Sequence, residues 1–169
     1  PQTGMALADS TGSTTAGVTL NVTGSLFNQS ITSGPKIFSG CLKGNDVVNT
    51  TLLISGLSPA DTYDLVVYSD WYWRSSDAYP VTQTVGTGLT GTVWVNHLGG
   101  TNGIVPALTE DTNPANSSSS LGNWYRIKGL TPSATGQLGF QLANGNATYN
   151  CAFNGFQLVK IDWGDTTPP

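Results

Sequence analysis

Charge is what this 169-residue chain has least of. Lys, Arg, Asp and Glu make up 9% of it, against about a quarter in an ordinary globular domain. Six bases stand against ten acids, for a net charge of −4. A basic face able to offset phosphate repulsion cannot be built from that set, which excludes a nucleic-acid binder. There is no polybasic run for anionic lipid. No apolar stretch approaches the roughly 20 residues that cross a bilayer, so membrane insertion is not expected. The single histidine, His97, excludes a multi-histidine metal centre. The two cysteines, Cys41 and Cys151, form no C-x-x-C, which argues against a thiolate metal site or a redox motif. Neither a phosphate loop nor a serine nucleophile elbow is present. Glycoside hydrolysis normally wants two facing carboxylates. The only glutamate, Glu110, adjoins Asp111, and neighbours on an extended chain point in opposite directions. The chain is therefore not expected to be an enzyme.

Gly, Ser, Thr and Asn stand in place of the charge, with 21 glycines. Disorder would fit that composition, but five Trp, six Tyr and five Phe need burial. Good helix formers are scarce and β-branched residues abound, so strands are expected. A polar, uncharged, Thr-rich surface is the kind common on secreted bacterial β-proteins, and a secreted, extracellular location is expected. In an oxidising compartment Cys41 and Cys151 are the candidate pair for one disulfide, worth about 4 to 5 kcal/mol before strain. The alternative is two buried free thiols.

No repeat of fixed period occurs. Short alternating runs do. Val18, Leu20 and Val22 alternate with polar residues. Thr51 to Leu57 and Tyr63 to Ser69 read as strands, the second apolar on both faces and hence central. Pro80 to Val85 and Gly91 to His97 read as a hairpin. Asn123 to Lys128, Gln137 to Leu142 and Cys151 to Ile161 complete the set, with a bend at Gly155. Eight or nine such strands predict an all-β fold, a jelly-roll β-sandwich of two antiparallel sheets. Residues 1–163 read as one module. Residues 164–169, with the closing Pro168-Pro169, read as a linker to other modules of a longer chain. The abrupt start at Pro1 reads as the point where a leader was removed.

Ile54-Ser55-Gly56-Leu57-Ser58-Pro59, followed by Thr62 to Ser69, resembles a block found in secreted bacterial carbohydrate-binding modules with a galactose-binding-like jelly-roll fold. Phe153-Asn154-Gly155-Phe156-Gln157-Leu158-Val159 is similar to the last strand of that group, and Gly40 to Asn45 to the segment before the first block. The resemblance covers about half the chain and implies a module attached to polysaccharide-degrading enzymes. The group has an extra strand before the Asp9-Ser10-Thr11-Gly12 region, where this chain has little sequence. A structural calcium ion is common in the group, and Asp9, Asn45, Asp46, Asn154 and Asp162 are candidate ligands, with no set singled out.

The aromatic residues point to a ligand. Asp70-Trp71-Tyr72-Trp73-Arg74 follows a predicted strand, then Ser75-Ser76-Asp77. Three consecutive large aromatics on an extended segment cannot all enter one core. Exposed aromatic surface is usually kept for binding. Sugar rings stack their C–H faces on indole and offer hydroxyls to Asp, Arg and Asn. Trp124 is the second candidate: if Tyr125 and Ile127 are core, Trp124 looks outward. The expected carbohydrate-binding set is Asp70, Trp71, Tyr72, Trp73, Arg74, Asp77, Asn123 and Trp124. The alternative is that the tryptophans plug one end of the sandwich. The expected partner is a polysaccharide or oligosaccharide held without catalysis. A structural or adhesive surface or filament module is the competing reading, and it predicts self-association through sheet edges.

Overall fold

A computed structural model describes residues 2–9, 11–23, 25–28, 40–43, 49–69, 78–96, 107–112, 122–142 and 152–161. Among these, every regular element is a strand. In chain order they are β1 (Gln2–Ala8), β2 (Thr14–Thr23), β3 (Ser25–Asn28), β4 (Gly40–Lys43), β5 (Thr50–Ser55), β6 (Thr62–Tyr68), β7 (Ala78–Val85), β8 (Thr92–Asn96), β9 (Trp124–Leu130), β10 (Gln137–Leu142), β11 (Ala152–Phe153) and β12 (Gly155–Ile161). One sheet has the order β1-β2-β5-β10-β7-β8 and faces a three-stranded sheet, β12-β6-β9. A short ladder, β11-β4-β3, continues from the latter. Only Asn154 separates β11 from β12, and its N–H donates to the Tyr68 carbonyl at 2.9 Å. Every strand pairing among the described residues is antiparallel.

Period-two alternation builds the core of this β-sandwich. Directly opposed residues on paired strands share a face. Val22, Leu52 and Phe140 form one row across β2, β5 and β10, and Leu20, Ile54 and Leu138 form the next. All six are buried. The small sheet answers with Leu65 between Leu158 and Ile127, and Val67 between Phe156 and Tyr125. These residues pack into the same apolar cluster as the first sheet. Each fully buried aliphatic or Phe side chain contributes about 1.5–3 kcal/mol.

The all-β sandwich expected from alternation is present. β6 is the central strand of its sheet, as apolar residues on both faces predicted. β7 and β8 pair as expected, with Val81 opposite Val93. Two details differ. A strand does precede Asp9: β1 pairs with β2 along an irregular register. It buries only part of Met5 and Leu7 against the core. The run Cys151 to Ile161 is interrupted at Asn154, so its start pairs with β4 and its remainder with β6.

Candidate functional site

The inner face of the small sheet is taken by the core, so its outer face carries the alternate residues. On β6 these are Asp64, Val66 and Tyr68. Register places Trp124 of β9 directly across from Tyr68, and Arg126 across from Val66. From the other side, Gln157 of β12 lies opposite Val66 and Val159 opposite Asp64. Because Ile127 is 2% exposed and Tyr125 packs against the core, Trp124 lies on the outward side, as its alternation predicted. It is half-buried, as is Tyr68. Opposed side chains on such a pair have Cβ atoms about 4.5–5.5 Å apart, so indole and phenol form one apolar surface.

Polar groups frame that surface. The Tyr68 hydroxyl donates to Gln157 Oε1 at 3.2 Å, and burial pushes its pKa above the ordinary tyrosine range. Arg126 Nε donates to Asp64 Oδ2 at 2.7 Å. Asp64 Oδ1 accepts the Gly129 N–H at 2.9 Å. The carboxylate is buried and the guanidinium one-third exposed, so Asp64 fixes the orientation of Arg126 while leaving part of it in water. Val159, 39% exposed, and the exposed Gln157 complete the face. An aromatic pair flanked by an exposed amide and a partly exposed guanidinium can take an apolar ring face and hydrogen-bond its polar edge.

Of the residues expected from sequence, Trp124 belongs to this face. Asn123 does not point into it. It has no exposed surface. Its Oδ1 accepts the Thr109 N–H at 2.9 Å and its Nδ2 donates to the Ala107 carbonyl at 3.2 Å. Its amide braces the segment 107–111 against the start of β9. Asp70, Trp71, Tyr72, Trp73, Arg74 and Asp77 lie outside the described residues. The chain leaves for them beside Trp124, since the Ser69 N–H donates to the Asn123 carbonyl at 2.9 Å. Tyr68, Gln157, Arg126 and Asp64 were missing from the expected set. Alternation had put Asp64, Val66 and Tyr68 on one face, but only the register of three strands brings Trp124, Arg126 and Gln157 beside them.

Cys41 stands on β4 opposite Phe27, while Cys151 lies outside the described residues. So do Asn45, Asp46 and Asp162. Asp9 Oδ1 accepts from the Thr11 hydroxyl at 2.6 Å, the Thr11 N–H at 2.8 Å and the Ser13 N–H at 3.0 Å. That closes the β1–β2 turn and holds the Asp9 carboxyl below the usual carboxylate range. Among the described residues no three His, Cys, Asp or Glu side chains gather around a common point. Glu110 is exposed and Asp111 buried, as adjacent extended residues should differ. Comparison with known protein families, with curated proteins and with solved structures finds no match to this chain.

Proposed function

We propose that this chain is a secreted, non-catalytic carbohydrate-binding module of jelly-roll type. The observation that carries the reading is the half-exposed Trp124–Tyr68 pair on the outer face of β12-β6-β9, framed by Gln157, Arg126 and Asp64. An indole beside a phenol suits the C–H face of a pyranose, and the exposed Gln157 amide and the exposed part of the Arg126 guanidinium suit its hydroxyls. Strands that pass between the sheets, from β5 to β6 to β7 and from β9 to β10, support the jelly-roll connection. The aromatic run 71–73, expected from sequence to bind a sugar, begins three residues after Tyr68 along the chain. A shallow polar ligand returns little net energy per contact, so affinity should be modest. Tethered beside an enzyme, the module raises local substrate concentration.

Affinity electrophoresis through gels containing different polysaccharides tests this. The wild-type chain should be retarded by at least one of them. Trp124→Ala should remove the retardation while lowering the melting temperature by only a few degrees, because the ring is half-exposed. Retardation that survives in Trp124→Ala and in Tyr68→Ala alike would overturn the role of this face. The adhesive reading draws on β1, an edge strand that among the described residues pairs only with β2. It predicts a size-exclusion volume that shifts with protein concentration.

A further inference from the structure

The outer face of β12-β6-β9 is unequal in what it offers a ligand. Along β9, Trp124 and Arg126 share the outward side, two residues and about 6.6 Å apart. Across the strands, Arg126, Val66 and Gln157 stand in one row, with the two flanking strands about 10 Å apart. Both flanking side chains are long enough to lean in over Val66, so their ends can meet on one ligand group.

The polar ends on this face are mostly donors. Arg126 uses Nε on Asp64 Oδ2 at 2.7 Å, and its two Nη groups make no hydrogen bond among the described residues. Gln157 Oε1 accepts from the Tyr68 hydroxyl at 3.2 Å, which leaves the Nε2 amide hydrogens. The Trp124 indole N–H is likewise without a partner among the described residues. An arginine carries five N–H donors, a glutamine amide two and an indole one, and neither guanidinium nor indole N–H accepts. The strongest acceptor is already engaged. Asp64 is 5% exposed, and its two oxygens receive Arg126 and the Gly129 N–H. Only the Tyr68 oxygen, which can still accept, breaks the pattern.

A donor-rich edge selects a group that accepts without donating. A sugar hydroxyl does both, and most of this edge could use only its lone pairs. A carboxylate only accepts, and it takes two parallel N–H bonds from the planar end of a guanidinium. Asp64 engages Nε, which leaves the edge between the Nη groups for that contact. The Arg126–Asp64 pair is neutral as a whole, so selection arises at contact rather than by long-range attraction. The net charge of −4 opposes an acidic ligand only weakly, since exposed charges beyond about 8 Å are screened at physiological salt. Resting on the carbohydrate reading of the Trp124–Tyr68 face, we infer that its ligand is a uronate-bearing glycan. The pyranose lies on the aromatic pair and its carboxylate on Arg126 and Gln157.

Titration of the 15N-labelled full chain with trisaccharides of galacturonate, glucuronate and mannuronate tests it. Each is run beside its methyl ester and its neutral galactose, glucose or mannose counterpart. At least one uronate should give saturable amide shifts at residues 66–68, 124–126 and 157. Its methyl ester should bind about tenfold more weakly, the loss of one charge-assisted hydrogen bond. Arg126→Lys keeps a cation for Asp64 but lacks the planar fork, and should bring acid and ester close to equal. Gln157→Ala, at an exposed position, should weaken the acid more than the ester. Trp124→Ala should weaken acid, ester and neutral sugar alike. An ester or neutral sugar bound as tightly as the acid, and lost in Trp124→Ala, would overturn the uronate assignment while leaving the face a sugar site. Tighter binding of a sulfated galactose trisaccharide than of any uronate would overturn it too. So would uronate shifts that survive Trp124→Ala and Arg126→Lys alike, since those report non-specific attraction to charge. No saturable shift in these segments with any of the sugars would overturn both the assignment and the reading of the face.

Discussion

Asn123→Ala separates a brace from a ligand contact, because the two roles predict opposite pairs of outcomes. The side chain is fully buried and, among the described residues, hydrogen-bonds the Thr109 N–H and the Ala107 carbonyl. Each such bond contributes about 0.5–1.5 kcal/mol net. Thr109 and Ala107 are themselves exposed, so water can reach the groups left behind and the larger penalty for a buried orphan does not apply. The expected loss is therefore roughly 2 kcal/mol. For a domain of this size about 2–4 °C of melting temperature accompanies each kcal/mol, which gives a fall of roughly 4–8 °C. Urea unfolding should show a lower midpoint with an unchanged slope. Amide exchange at Thr109 and Asp111 should quicken, since the segment they belong to has lost its brace. Polysaccharide retention should persist, because the Trp124–Tyr68 pair is not touched. A melting temperature within 1 °C of wild type together with lost retention would refute this reasoning and make Asn123 a ligand contact.

Two further outcomes follow from the core and from the tyrosines. Phe140 has no exposed surface and stands next to Leu52 in the Val22–Leu52–Phe140 row, so Phe140→Ala should cost about 3–5 kcal/mol, read by chemical denaturation; a loss below 1 kcal/mol would show that the row does not anchor the sandwich. Burial raises the pKa of Tyr125, with Asp111 adding to it, and burial raises that of Tyr68. The folded state thus favours both neutral phenols: the stability they contribute is fully present below the unfolded tyrosine value near 10 and is lost as pH rises through the folded values. Ultraviolet titration should show tyrosines ionising later than in the unfolded chain, and Asp111→Asn should move one of them back towards the ordinary value.

Alternation carried most of the fold into the sequence. Leu138, Phe140 and Leu142 are buried where their period-two spacing puts them, and β10 has the bounds that spacing predicted. The two-sided apolar run at Tyr63–Ser69 announced a central strand for the same local reason. β1 was illegible because it has only Met5 and Leu7 to alternate, and its register slips at two places. Its existence depends on the neighbouring edge of β2 rather than on its own pattern.

The candidate site divides along the same line. That Trp124 faces outward was readable from Tyr125 and Ile127, because side-chain direction along a strand is set by the residue before and after. What stands beside Trp124 was not readable. A shift of one residue in register would turn a strand's side chains to the other face, and no local property of Tyr68 or Gln157 fixes which residue they oppose. Asn123 shows the converse: in sequence it is a polar neighbour of a tryptophan and looks like a ligand contact. Only the packing of 107–111 over it, brought from a different stretch of chain, makes it a buried brace. The sequence by itself determined strand content, the core faces and the outward direction of Trp124, all governed by neighbours along the chain. Sheet order, register and the packing of 107–111 against Asn123 were decided by tertiary structure, because hydrogen bonds between distant segments have no counterpart in local spacing.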